Sequence, residues 1–140
     1  MRLKRINVYS DYLGDSDKTK VWTRKMEFDE RFGQFICEKN GLIFAWDEEP
    51  VEDVSDIMDR LTENYYLRLD EIVGFMLTDL QQVYGDVDVE TVKNKLGKPI
   101  IDYDNGRVTY VEHSFDASHI FEFDFLDDAF EELQYFSIDG

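Results

Sequence analysis

Residues 33–46 read GQFICEKNGLIFAW, and the dipeptide at their centre decides how the chain begins to fold. Asn40-Gly41 is a pair favoured in two-residue type I′ hairpin turns, where both central residues need positive φ. Such a turn fixes the register: Lys39 faces Leu42, Cys37 faces Phe44 and Phe35 faces Trp46. Side chains alternate along a strand, so Phe35, Cys37, Phe44 and Trp46 share one face, and their apolar character predicts a core face.

Upstream, RLKRINVYS (2–10) and TKVWTRKMEF (19–28) mix polar with β-branched and aromatic residues as half-buried strands do. Downstream the pattern changes period. Met58, Leu61, Tyr65, Leu69, Ile72, Met76, Leu80 and Val83 recur at steps of three and four, predicting one apolar stripe on a helix from about 55 to 84. Ser55 suits its N-cap, Asp56 and Asp59 complement the positive end of its dipole, and Gly85 suits its end. Asn64, Tyr65 and Tyr66 are mediocre helix formers, so a break could fall near Asn64 to Leu67, and two shorter helices would satisfy the same stripe.

DVETVKNKLGKP (88–99) carries a second helix: Asp88 as cap, Val89, Val92 and Leu96 on one face, Gly97 at the left-handed C′ position and Pro99 as terminator. Strands follow. Asn105-Gly106 predicts a second tight hairpin with Ile101 opposite Tyr110, and a reversal at Phe115–Ala117 would put Val111 opposite Phe121 and His113 opposite His119. The closing segment 128–138 is ambiguous between a capping box at Asp128 and Glu131 and a strand through Gln134, Phe136 and Ile138; its aromatic content favours strand. Strands, then helices, then strands make an α+β domain, with an antiparallel sheet of two meanders covered on one face by the long and the short helix.

At 140 residues with 43% hydrophobic side chains, a single domain over 1–140 with one core is expected. The N-terminus lacks an apolar signal region and no apolar run is long enough to span a bilayer, so a soluble cytoplasmic protein is expected. The lone Cys37 cannot form an intrachain disulfide and is read as a buried thiol.

The net charge of −17 is unevenly spread. Residues 1–39 carry nine bases and seven acids, residues 40–90 two and fourteen, and residues 91–140 four and eleven. Asp47, Glu48, Glu49, Glu52, Asp53, Asp56 and Asp59 fall in one span without a base; Glu122, Asp124, Asp127, Asp128, Glu131 and Glu132 fall in another. Acids placed for solubility alone are ordinarily interspersed with bases. A field of this sign repels nucleic acid and anionic membrane and attracts basic proteins, so both acid spans are candidate partner-binding residues.

Chemistry beyond charge is sparsely signalled. There is no nucleophile elbow, phosphate loop, dinucleotide fingerprint or zinc-protease motif. In DYDNG (102–106) the glycine and Glu112 each sit one place early for an EF-hand loop, which favours a hairpin turn. His113 and His119, with Asp116 between them, would supply a metal with too few ligands. No catalytic residue, metal or cofactor is expected. In HIFEFDF (119–125), alternation puts His119, Phe121, Phe123 and Phe125 inward and Ile120, Glu122 and Asp124 outward.

VETVKNKLGKP, then RVTY and HIFEFDF, resembles the small domains of the outer-membrane assembly lipoprotein and β-lactamase-inhibitor-protein type, over about residues 88 to 138. The wider outline, from FDERFGQF (28–35) to the closing hairpin, is similar to uncharacterised acidic bacterial domains and to immunity proteins of polymorphic toxin systems. That resemblance implies a compact protein acting by binding and carries no catalytic residues with it. The leading expectation is a non-enzymatic immunity or inhibitor protein that covers a basic toxin or nuclease by charge complementarity. The alternatives are a phage DNA mimic occupying a nucleic-acid channel, and a metal-dependent enzyme using His113 and His119.

Overall fold

The computed structural model describes residues 26–140; the stretches 2–10 and 19–25, expected as strands, lie outside the described residues. Among the described residues seven strands and three helices follow in the order β1 (Glu27–Asp29), β2 (Gln34–Lys39), β3 (Leu42–Trp46), α1 (Ser55–Leu67), α2 (Leu69–Tyr84), α3 (Val89–Lys95), β4 (Ile100–Asp102), β5 (Arg107–Tyr110), β6 (Ile120–Phe125) and β7 (Leu133–Asp139). They form an α+β fold around one seven-stranded sheet whose spatial order is the chain order. All neighbours are antiparallel except β3 and β4, which run parallel with Ile43 beside Ile100 and Ala45 beside Asp102. The expectation of a wholly antiparallel sheet is corrected here. The chain leaves β3 and returns to β4 through all three helices, and a crossover of that length is what a parallel neighbour requires.

The first hairpin has the predicted register, with Asn40 and Gly41 at φ 59° and 81°. Tyr66 donates a hydrogen bond of 2.9 Å to the Asn40 carbonyl across the turn. Leu42, Phe44 and Trp46 are buried, whereas Phe35 is only half-buried because it lies near the sheet edge, against the exposed Phe28 at 5.1 Å between ring centroids.

Two later registers differ from expectation. Asn105 and Gly106 sit in a four-residue loop, not a two-residue turn, so Ile101 pairs with Val108 and not with Tyr110; a slip of two keeps every side chain on its face. The next reversal is a long irregular stretch from Val111 to His119, not a three-residue loop. It places Tyr110 opposite Phe121. That odd shift exchanges faces, so Tyr110 is fully buried in the place predicted for Val111, which is half-buried.

The long helix divides at Arg68, whose φ of −102° and ψ of 9° leave the helical region. Its neighbours are tied to other elements: Asn64 donates to the Asp128 carbonyl, Tyr65 shares a hydrogen bond with Tyr110, and Arg68 pairs with Glu131. Beyond the break the stripe turns by about one position. Ile72, Val73, Met76 and Leu80 are buried, Tyr84 packs on Phe115 and Phe121, and Val83 is exposed. Ser55 is not the N-cap; Val54 occupies that place, and the Asp53 carboxylate accepts the Ser55 N–H at 2.8 Å. α3 follows its reading, with Asp88 accepting from the Thr91 N–H at 2.8 Å and Gly97 at φ 73°.

One core cluster joins the helix residues Met58, Leu61, Ile72, Met76, Leu80 and Val92 to Phe44, Ile101, Val108, Tyr110, Phe121 and Phe123, which share one sheet face by register. The segment 128–138 is neither wholly strand nor helix. A turn organised by Asp127 runs into β7, with a register irregularity between Glu122 and Asp124 and positive φ at Tyr135. Among the described residues no helix is long and apolar enough to cross a membrane.

Candidate functional site

The parallel pairing of β3 with β4 has an electrostatic consequence. It sets Asp47, just past the end of β3, beside Asp102 at the end of β4. Two side-chain amides bridge these carboxylates. Gln34 Nε2 donates to both at 3.0 Å, and Asn105 Nδ2 donates to Asp102 at 2.9 Å and to Asp47 at 3.2 Å. Among the described residues no lysine, arginine or histidine lies within ion-pair distance of Asp47, Glu48, Asp102 or Asp104. Partial burial raises the Asp104 carboxyl above its ordinary value, and the charges of Asp102, Asp47 and Glu48 raise it further. Four acids are thus gathered, two of them, Asp47 and Asp102, bridged by neutral amides and none paired with a cation among the described residues.

The β4–β5 turn also lies beside the β6–β7 connection. Between them is a cleft of about 470 Å³ lined by Tyr103, Asp104, Phe125, Leu126, Asp127 and Asp128. The end of the sheet therefore brings the start of one predicted acid span (Asp47, Glu48) near the middle of the other (Asp127, Asp128), through Asp102 and Asp104. Charge counting along the chain missed those last two. The DYDNG run was a visible signal, but its nearness to Asp47 depends on a long-range strand pairing.

The remaining predicted acids are placed differently. Glu52 and Asp56 are exposed on the β3–α1 connection and the first turn of α1, Glu49 is half-exposed, and Asp53 caps that helix. Asp59 lies not in the dipole-facing first turn but against Lys39 at 2.5 Å. Glu122 accepts from the Thr109 hydroxyl at 3.1 Å, and Asp124 pairs with Arg107 at 3.4 Å. Asp128 pairs with Arg60 at 2.8 Å and Glu131 with Arg68 at 2.5 Å, while Glu132 is exposed. Asp127, not Asp128, organises its turn by accepting the N–H groups of Ala129, Glu131 and Glu132 at 2.9–3.0 Å. Burial pushes its carboxyl up, but these bonds outweigh that and leave it below the ordinary value.

The two histidines do not face each other as a ligand pair. His113 is buried, stacked on Phe121 at 3.9 Å and 11° between ring planes, and both its nitrogens are engaged. Nδ1 accepts from the Phe115 N–H at 3.2 Å, so Nε2 carries the proton donated to the His119 carbonyl at 2.6 Å. His119 Nδ1 meets Asp116 at 2.7 Å, and Asp116 also accepts from the Tyr84 hydroxyl at 2.6 Å and from two backbone N–H groups. The Ser118 hydroxyl lies 3.3 Å from Nδ1, on the nitrogen already committed to Asp116. A nucleophile would need the other nitrogen, so this group is a loop clasp and not a relay. Among the described residues no cluster of three or more His, Cys, Asp or Glu is arranged to hold a metal ion.

No family model matches the chain, and no match was found among the curated proteins or the solved structures.

Proposed function

We propose that this chain is a non-enzymatic acidic binding protein of the cytoplasm that covers a basic surface of another protein, as an immunity protein covers a toxin or nuclease. The observation that carries the reading is the like-charge group Asp47, Glu48, Asp102 and Asp104. A protein acidic only for solubility has no reason to gather three carboxylates where they raise the cost of ionising a fourth, Asp104. A basic partner supplies the missing counter-charge, so the repulsion present in the free protein becomes attraction in the complex. The cleft beside Asp104, with the Tyr103 ring and the exposed Leu126, offers apolar contact for the stem of a lysine or arginine.

The test is affinity capture from the native host, then association kinetics against ionic strength. Neutralising Asp47, Glu48, Asp102 and Asp104 together as amides should slow association and flatten its salt dependence, since steering operates over the Debye length of about 8 Å at physiological salt. An acidic partner, or binding indifferent to salt and to these four residues, contradicts the reading. A captured nuclease or toxin supports inhibition; capture of a nucleic-acid-binding complex instead favours the DNA-mimic alternative.

A further inference from the structure

β3 reads LIFAW, an unbroken apolar run in which every residue but Ile43 is buried, and Ile43 is half-buried. Alternation of polar and apolar residues marks a strand with one wet face, whereas an unbroken run marks a strand covered on both. Leu42, Phe44 and Trp46 enter the core beneath the helices. Ile43 and Ala45 lie on the opposite face, where the register sets Ile36 beside Ala45 on one side and Ile100 beside Ile43 on the other. Ala45 is 0% exposed and Ile100 7%, yet neither belongs to the core cluster. The buried residues of α1, α2 and α3 all do, so the helices account for the first face only. A hollow of about 290 Å³ lies on the second face, walled by Phe32, Ile100 and Ile120 with Gln34, Asp102 and Glu122.

We propose that residues 1–25 of this same chain cover the second face of the sheet. Reach allows it. The segment leads into β1, three strands from β4. That distance is about 14 Å at a strand spacing of about 4.8 Å, against about 80 Å for the segment at full extension. Its composition fits an apolar face bordered by acids: Leu3, Ile6, Val8, Leu13, Val21 and Trp22 are apolar, and it carries seven bases and three acids, against eight and twenty-nine in residues 26–140. Asp102 lies beside Ala45 in the register and is met by Gln34 and Asn105 and by no cation among the described residues. A tethered segment meets this face at a high effective concentration, and a second copy would bring the net charge of −17 with it. The inference goes beyond the reading of the protein as a binder and does not depend on it.

Nuclear Overhauser contacts from the methyl groups of Ile36, Ile43 and Ile100 in the full chain test it. The expected result is contact with side chains of residues 1–25, unchanged on dilution. A soluble paramagnetic probe should broaden the Ile100 methyl no more than that of Ile72 in the core. Ile43→Lys puts a charge under the cover and should speed trypsin cleavage within residues 1–25 about ten-fold, as loss of a half-buried isoleucine implies. If that variant does not fold, Ile43→Thr should give a smaller acceleration with the amide spectrum of the helices unchanged.

Methyl contacts confined to residues 26–140 overturn the proposal, as does broadening of Ile100 to the extent seen for the exposed Ile120. Contacts that cross between labelled and unlabelled chains in a mixed sample give the face to a second copy and also overturn it. None of these outcomes bears on the acidic-binder reading, which stands or falls on its own salt-dependent binding.

Discussion

Asp104 is a side chain costly to the fold that, on the proposed reading, also attracts a basic partner. Its carboxyl is raised by burial first and then by Asp102, Asp47 and Glu48. A raised carboxyl is a destabilising charge at neutral pH, relieved as pH falls through its folded value. Asp104→Asn should therefore raise the thermal midpoint at pH 7, with a gain that shrinks toward pH 4, while weakening attraction to a basic partner. Asp116 runs the other way: the Tyr84 hydroxyl first, then backbone N–H groups and His119, hold its carboxyl well below the ordinary range. Its stabilisation is present above the unfolded value of 3.8 and is lost as pH falls below it. Tyr84→Phe should accordingly reduce stability at neutral pH and narrow the loss of stability on acidification, as followed by circular dichroism. Gly97 makes a steric demand, since its φ is +73° and an added Cβ would come within 2.8 Å of the Glu112 carbonyl oxygen. Gly97→Ala should cost more than about 1 kcal/mol in denaturant unfolding. The glycine's left-handed role was legible from the Gly-x-Pro spacing. The close approach of Glu112 was not, because it depends on where the irregular 111–119 stretch passes.

Local rules made some elements legible and misled at others: Asn105-Gly106 sits in a four-residue loop, and Val54, not Ser55, is the N-cap. Asn40-Gly41 gave its register because a two-residue turn leaves no freedom, and Asp88 marked the start of α3 because its carboxylate meets a free N–H. Registers failed where loops were longer than local chemistry implied. At 103–106 the error was even and harmless to faces; at 111–119 it was odd, so Val111 and Tyr110 changed places. The helix break at Arg68 was open in the sequence as an alternative, but the ties holding it there come from β5 and the 126–132 turn. One of those ties, Tyr65 to Tyr110 at 2.7 Å between hydroxyl oxygens, is buried. Burial raises both phenols above their ordinary value of 10.0, and burial with the Asp116 bond raises Tyr84 to about 12. Groups raised in this way stabilise fully below the unfolded value and lose that stabilisation as pH rises through the folded one. Unfolding should therefore set in above about pH 10, and Tyr65→Phe with Tyr110→Phe should soften that alkaline onset. On β6, Phe121 lies at the centre of a ring cluster with His113, Phe115, Tyr84 and Phe136. Phe121→Ala should cost about 3–5 kcal/mol in denaturant unfolding.

At the scale of the molecule, segregation of acids along the chain did not translate directly into segregation in space. Lys39, Arg60, Arg68 and Arg107, distant in sequence from their partners, neutralise Asp59, Asp128, Glu131 and Asp124. Folding instead gathers acids at the sheet end, where two that the charge count had passed over, Asp102 and Asp104, join Asp47 and Glu48. Contact order explains why this was hidden: the cluster exists only because β3 and β4 pair in parallel after three helices. The α+β class, by contrast, followed from the order of periodicities alone. On the proposed reading this sheet end is the preferred landing place for positive charge, above acids elsewhere on the surface. The direct measurement is an amide NMR titration of the full chain with polylysine at several salt concentrations. The predicted result is that shift changes concentrate at Asp47, Glu48 and Asp102 to Asn105, and fade as the Debye length shrinks from about 10 Å at 0.1 M salt to about 3 Å at 1 M. Changes spread evenly over all acidic positions, or centred away from this end, would contradict it.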